Sequence, residues 1–185
     1  MRNSFIIIIF ILTTLIFISL KDACAQNSRF EKKKIYNLSE LTIGYGFQGD
    51  VEPNQIAFTG ITSMAGYSFS SAGGLGIGSG ILAYNGSYSI PLYLEGGYYF
   101  REFGLGKMRF FAKADAGALF RLNGDIPPTR FFANPLGGML IPVARHKEVS
   151  ISLGFFTQWN PNYEDYPEQN EFDYFFNAKL GLRFF

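Results

Sequence analysis

The chain has 185 residues, of which 48% are hydrophobic, 18% are aromatic and 17% are charged, with a formal net charge of +1. This composition is too apolar for a disordered chain, and 21 glycines with 21 phenylalanines are unusual for a soluble helical protein. Removing the first 25 residues takes away Arg2, Lys21 and Asp22 and leaves 14 basic and 14 acidic residues. This balance gives no support to nucleic-acid binding, which usually shows a basic excess.

The N-terminus has the order of features expected of a secretory signal peptide. Arg2 supplies a positive charge, Phe5 to Leu20 form a nearly unbroken apolar run, and Ala23 and Ala25 make an A-x-A cleavage site. The apolar run is about 16 residues long, shorter than the ~20 residues that a membrane-spanning helix needs. We therefore expect cleavage after Ala25, with an uncleaved membrane anchor as the alternative.

Cleavage at this site divides the chain into a signal peptide (1–25), a lead-in (26–34) and one domain (35–185). The lead-in is polar and has no apolar period, so we expect it to be flexible. The single cysteine, Cys24, is lost with the signal peptide. Neither a disulfide nor thiol chemistry is then expected in the mature protein.

The domain shows the two-residue period of β-strands and no long helical period. Side chains alternate across a strand, so apolar and polar positions separate onto two faces. In the last segment, the even positions from Phe172 to Phe184 form an apolar face, and the charged residues lie on the other face. The eight predicted strands are Tyr36–Phe47, Gln55–Phe69, Leu75–Tyr84, Tyr88–Arg101, Lys107–Arg121, Thr129–Val143, Glu148–Trp159 and Glu171–Phe185.

The two faces are less clear in some of these strands. The second, third and sixth are rich in glycine, and the sequence does not decide which of their faces points inward. Pro91, Pro135 and Pro142 lie inside predicted strands. Proline has no N–H to donate to a sheet ladder, so the strand prediction is weaker at these positions.

The connections between the predicted strands differ in length. Three of the odd-numbered connections are long and polar, and the even-numbered ones are short; the third connection, Asn85-Gly86-Ser87, is a tight hairpin. Long loops outside and short turns in the periplasm are typical of outer-membrane barrels. The predicted loops are Gln48–Asn54, Leu122–Pro128 and Asn160–Asn170, and the short turns are Ser70–Gly74, Glu102–Gly106 and Ala144–Lys147.

Charged residues occupy the polar faces of the predicted strands. An Arg or Lys facing lipid at the membrane midplane costs about 2–4 kcal/mol, so we expect these side chains to point into the barrel. The lumen of an eight-stranded barrel is narrow enough for side chains to fill it. We expect a plugging charge network, with a gate or ion path as the alternative. Its predicted members are Glu40, Glu95, Asp115 and Asp173 with Arg109, Lys113, Lys179 and Arg183.

These features resemble the small eight-stranded outer-membrane barrels of bacteria, such as the transmembrane domain of the OmpA family. The resemblance covers Tyr36 to Phe185 and is carried by the strand pattern, the signal peptide and the final strand. It implies an all-β, antiparallel, up-and-down transmembrane β-barrel in the outer membrane of a Gram-negative-type bacterium. The implied partners are outer-membrane lipids and the barrel-assembly machinery.

One residue departs from the pattern of that class. The last aromatic usually lies on the apolar face, whereas Phe185 shares its face with Lys179 and Arg183. Either a β-bulge shifts the register near the end of the strand, or Phe185 lies past the membrane.

No motif in the sequence indicates catalysis, a metal site or a cofactor. The single histidine, His146, lies in a short turn, whereas a catalytic triad at the outer surface would need it near the long loops. One histidine without a mature cysteine is a weak basis for a metal site. We therefore expect that the protein is not an enzyme.

Three functions remain compatible with the sequence. The first is a structural or interaction protein of the outer membrane whose loops contact an unidentified extracellular partner. The second is a small channel or passage for solutes, and the third is a secreted soluble barrel that binds a lipid-like ligand. A lipid binder would have apolar residues inside and charges outside, so the facing of the strands distinguishes the third function from the first.

Overall fold

The computed structural model describes residues 35–47, 57–70, 72–84, 87–104, 107–122, 129–161 and 172–185. The predicted signal peptide, its cleavage site and lead-in, and most of the three predicted loops, lie outside these residues. The described residues form eight strands: β1 (Ile35–Gly46), β2 (Ala57–Ser68), β3 (Gly73–Tyr84), β4 (Ser87–Phe103), β5 (Met108–Arg121), β6 (Thr129–Ala144), β7 (Lys147–Trp159) and β8 (Phe172–Phe184).

The eight strands close into one antiparallel barrel. Each strand pairs with its neighbours in the sequence, and β8 pairs with β1 over Asn37↔Phe184 to Gly46↔Phe175. Every observed strand end lies within two residues of the predicted one. The predicted fold class, an all-β, eight-stranded, antiparallel up-and-down barrel, is confirmed.

The barrel has two different ends. We call one the turn end; it contains Ser70, Gly104, His146 and the last residue, Phe185. The other is the loop end, where Tyr84 ends β3 and Trp159 ends β7. In the described ranges, no helix is long and apolar enough to span a membrane.

The strands bury one face inside the barrel and expose the other. In β1, Tyr36, Leu38, Glu40 and Thr42 are buried and the intervening residues are mostly exposed. The three strands with ambiguous facing follow the same rule, with inward residues such as Met64 in β2, Leu82 in β3 and Asn134 in β6. The facing predicted for the other five strands agrees with the structure except at Arg101, which alternation places on the inner face of β4 and which is exposed where the β4–β5 register shifts between Tyr99 and Glu102.

The three prolines lie where the sheet ladders are interrupted. The β3–β4 register passes from Ser79↔Leu92 to Leu82↔Ser89 and leaves out Pro91, and the β6–β7 register leaves out Pro135 without shifting. Pro142 lies at a shift in the β6–β7 register. Because a proline nitrogen has no hydrogen to donate, these are the positions at which the ladder loses a bond.

Phe185 follows the end of β8 and packs over the lumen at the turn end. Neither ladder of β8 has a register shift, so the first of the two alternatives for Phe185, a β-bulge, is wrong. The Phe185 N–H donates a hydrogen bond to the carbonyl oxygen of His146 at 3.2 Å, and its ring centroid lies 6.4 Å from that of Tyr36. The side chain therefore closes the interior instead of joining the apolar outer face.

Candidate functional site in the barrel interior

Five buried charged side chains cross the middle of the lumen, and we call them the charge cluster. Lys113 Nζ lies 2.8 Å from Glu40 Oε1 and 2.8 Å from Glu95 Oε2. Lys179 Nζ lies 3.1 Å from Glu40 Oε2 and 2.7 Å from Asp115 Oδ2. All five side chains are at most 5% exposed. The cluster therefore runs without interruption as acid, base, acid, base and acid.

The alternation of the strands puts these side chains in the same space. Two of the ion pairs cross the barrel, from Lys113 on β5 to Glu40 on β1 and from Lys179 on β8 to Asp115 on β5, and the other two join neighbouring strands. Glu95 and Asp115 are directly opposite in the β4–β5 ladder, an arrangement that is unfavourable for two like charges. The two ammonium groups offset this repulsion, because each of them pairs with one of the two carboxylates.

A second charged group lies at the turn end. Glu148 Oε1 is 2.7 Å from Arg109 Nη2, and Glu148 Oε2 is 3.6 Å from Arg183 Nη1. The Arg183 guanidinium carbon also lies 3.7 Å from the ring centroid of Tyr36 and 4.8 Å from that of Tyr99. Cation–π contacts of this kind are strongest where water is excluded, as here, where Arg183 is 3% exposed.

A third charged group lies at the loop end. Arg130 Nη1 is 2.5 Å from Asp173 Oδ2 and donates a second hydrogen bond to Gln158 Oε1 at 3.3 Å. Gln158 Nε2 in turn donates to the Tyr84 hydroxyl at 2.5 Å. This chain of contacts connects β3, β6, β7 and β8 across the mouth of the barrel.

Between the charge cluster and the loop-end group, the lumen is filled with aromatic rings. The ring centroid of Phe58 is 5.1 Å from that of Phe156 and 5.3 Å from that of Phe175, and the Phe156 ring stacks on Phe132 at 5.0 Å. Tyr93 contacts Phe132 edge to face at 6.2 Å. These separations are within the range of favourable aromatic pairs. We call Phe58, Tyr93, Phe132, Phe156 and Phe175 the aromatic layer.

A small cavity lies between the aromatic layer and the charge cluster. Its volume is about 20 Å³, and Thr42, Thr62, Asp115, Asn134 and Lys179 provide its polar lining. That is about the space that one water molecule occupies. The cavity therefore has no room for a solute larger than water.

All eight charged residues predicted to face inward do so, but they form three groups instead of one network. Five make the charge cluster, Arg109 and Arg183 lie at the turn end, and Asp173 lies at the loop end. The eight residues separate into three groups because they lie at different heights along the barrel. Glu148 in the turn-end group and Arg130 in the loop-end group were not predicted.

The aromatic layer was not predicted as a packed group, although the alternation of the strands puts three of its members on inward faces. Tyr93, Phe156 and Phe175 have the same parity as the inward charges of their strands. Parity alone therefore places them inside.

The outer surface of the barrel is apolar, whereas the interior contains charged side chains. Large hydrophobic side chains are exposed on every strand, as shown by Ile61 (66%), Leu94 (65%) and Leu153 (68%). A soluble protein rarely exposes an apolar surface of this extent. The arrangement is the reverse of what a soluble lipid-binding barrel requires, so the third function predicted from the sequence is not supported.

The described residues contain no group of three or more His, Cys, Asp or Glu side chains that can hold a metal ion. His146 is exposed in the turn between β6 and β7. The sites that the structure does form are ion pairs and hydrogen bonds between protein groups.

A closed antiparallel barrel with an apolar exterior and buried, paired charges belongs to the class of small transmembrane β-barrels. Backbone hydrogen bonds are satisfied between strands all around the closed sheet, as spanning a hydrocarbon layer requires. The interior charges are kept away from the apolar surroundings by the barrel wall.

Two solved structures show the same fold. The outer membrane protein OprG from Pseudomonas aeruginosa is 8% identical in sequence, with the match covering 85% of this chain and 98% of OprG at a TM-score of 0.55. Neisserial surface protein A is 10% identical, with 81% of this chain and 96% of that one covered at a TM-score of 0.52. No protein-family model and no curated protein matches the sequence. At these identities the similarity establishes the fold.

Proposed function

We propose that the protein is a structural or surface-interaction barrel of the outer membrane of a Gram-negative-type bacterium, with a lumen closed by its own side chains. The observation that carries this proposal is the filled interior. Above the charge cluster, the rings of Phe58, Phe132, Phe156 and Phe175 pack at centroid separations close to 5–6 Å, and the cavity between the two measures about 20 Å³. A conducting pore of this class has a water-filled channel in place of such contacts.

A role for the loops follows from the closed lumen. With its lumen closed, the barrel contacts other molecules through its lipid-facing wall and through the connections at its ends. The long connections at the loop end are acidic in sequence, with Glu164, Asp165, Glu168 and Glu171 in the segment before β8. We propose that these connections face the outside and contact an extracellular partner, and that the barrel-assembly machinery inserts the protein.

A solute channel is the second candidate. Its support is the presence of charged groups at three levels of the lumen, around Arg183, in the charge cluster and around Arg130, although the aromatic layer separates the last two. The ion pairs of the charge cluster argue against a channel. Opening one would separate charged side chains that are only 1–5% exposed and leave them without their partners. We therefore place this function second.

Cell fractionation and surface proteolysis test the proposed location and orientation. We expect the protein in the outer-membrane fraction, with a gel mobility that changes on heating because the closed barrel resists unfolding by detergent. Protease added to intact cells is expected to cut within 160–170 and to spare Ala144–Lys147, because the long polar connections face outward in this class. Cleavage that requires a permeabilised outer membrane would reverse the orientation, and recovery as a soluble secreted protein would refute the membrane location.

A further inference from the structure

Exposed basic residues at the turn end form a patch that we call the basic rim. Its members are Arg101 in β4, Lys107 immediately before β5, and Arg145 and Lys147 at the β6–β7 turn, and all four are exposed. Because β5 and β6 are neighbours, the β4–β5 and β6–β7 turns lie side by side. The basic rim therefore occupies one side of the barrel.

The rest of the described surface has no comparable positive patch. Within the described ranges, the remaining Lys and Arg side chains are buried or half-buried, and the half-buried Glu102 is the acid next to Arg101. The described part of the β2–β3 connection at the turn end is uncharged. At the loop end, the four connecting segments contain seven acids and no base in their sequence: 48–56, 85–86, 123–128 and 162–171.

The basic rim adjoins aromatic side chains of the outer surface. Lys147 Nζ lies 5.7 Å from the ring centroid of Phe184. Beyond Arg101 in β4, the ring of Phe103 stacks on Phe110 with a centroid distance of 4.6 Å. Aromatic side chains of transmembrane barrels concentrate where hydrocarbon meets the head groups. Long basic side chains at that level keep their apolar stems on the protein while their charges reach the head groups.

We propose that the basic rim binds the phosphate groups of anionic phospholipids in the membrane leaflet at the turn end. This inference rests on the proposed membrane location. The patch fits a lipid head group because its charges lie beside the apolar, aromatic outer wall, where a phosphate and its acyl chains contact the protein together. Each Lys or Arg next to an anionic membrane surface strengthens binding by about fivefold.

Lipid titration of the folded barrel in neutral detergent tests the proposal. Phosphatidylglycerol and phosphatidylcholine are added separately, and native mass spectrometry counts the retained molecules. We expect preferential retention of phosphatidylglycerol. The triple variant Arg101→Gln, Lys107→Gln, Lys147→Gln is expected to bind it at least tenfold more weakly, with phosphatidylcholine unchanged. The matched variant Arg101→Lys, Lys107→Arg, Lys147→Arg keeps every charge and is expected to bind as the unchanged protein does.

Heat-modifiable gel mobility verifies that each variant is folded before titration. If the triple variant does not fold, Lys147→Gln alone is expected to weaken phosphatidylglycerol binding about fivefold. Equal retention of the two lipids, or undiminished phosphatidylglycerol binding without the charges, overturns the proposal. The titration does not depend on cellular location, so its failure and a failure of the fractionation experiment are distinguishable.

Discussion

Replacing Lys113 with alanine is expected to lower the free energy of unfolding of the barrel by about 3–5 kcal/mol, because it breaks a buried ion pair by removing one partner. The Lys113 ammonium pairs with both Glu40 and Glu95 at 2.8 Å. Its loss leaves Lys179 as the one base of the charge cluster against three carboxylates. Asp115→Ala acts in the same direction by removing a carboxylate that pairs with Lys179. Chemical unfolding of the reconstituted barrel, followed by tryptophan fluorescence, measures the effect.

Ser150→Ala is the matched control for this experiment. Ser150 faces the same lumen and is 1% exposed, but its side chain carries no charge. We expect its effect to be well below that of either charge removal. The double variant Lys113→Met, Glu95→Gln removes a base and an acid together and is expected to be more stable than Lys113→Met alone. If Lys113→Ala and Asp115→Ala are both as stable as Ser150→Ala, the ion pairs do not hold the lumen together.

Removing the Phe156 side chain is expected to cost about 3–5 kcal/mol of stability, because a buried Phe→Ala change loses its contacts and leaves a cavity. Phe156 is 4% exposed and contacts Phe58, Phe132 and Phe175. Phe120→Ala provides the comparison, since Phe120 lies on the outer face and is 40% exposed. The same substitution there leaves the lumen packed and is expected to cost much less. Equal losses for the two variants would mean that the aromatic layer is not a packed core.

The two-residue period of the sequence was sufficient to predict the strands and most of their faces. Period-2 alternation assigns a side chain to a face whenever the two faces differ in polarity, as they do around Glu40, Glu95, Lys113 and Lys179. In an environment of lipid, the charged face has to be the inner one. The structure agrees at each of these positions.

The partners of the charged residues were not predictable in the same way. Lys113 on β5 reaches Glu40 on β1 across the lumen, and that contact depends on the tilt and stagger of strands around the barrel. Alternation within one strand contains no information about stagger. Arg130 was not predicted because adjacent aromatic residues and glycines in β6 leave the facing of that strand undecided. Glu148 was not predicted because it is the first residue of the predicted seventh strand.

Conductance of the unmodified protein in planar lipid bilayers is the most direct test of a lumen closed by its own side chains. The charge cluster and the aromatic layer lie one above the other in the lumen, with a cavity of about 20 Å³ between them. We expect the unmodified barrel to conduct poorly, and Phe156→Ala to conduct more than Phe120→Ala. Sustained large conductance by the unmodified protein, in preparations shown by gel mobility to be folded, would contradict a plugged lumen and establish the channel in its place.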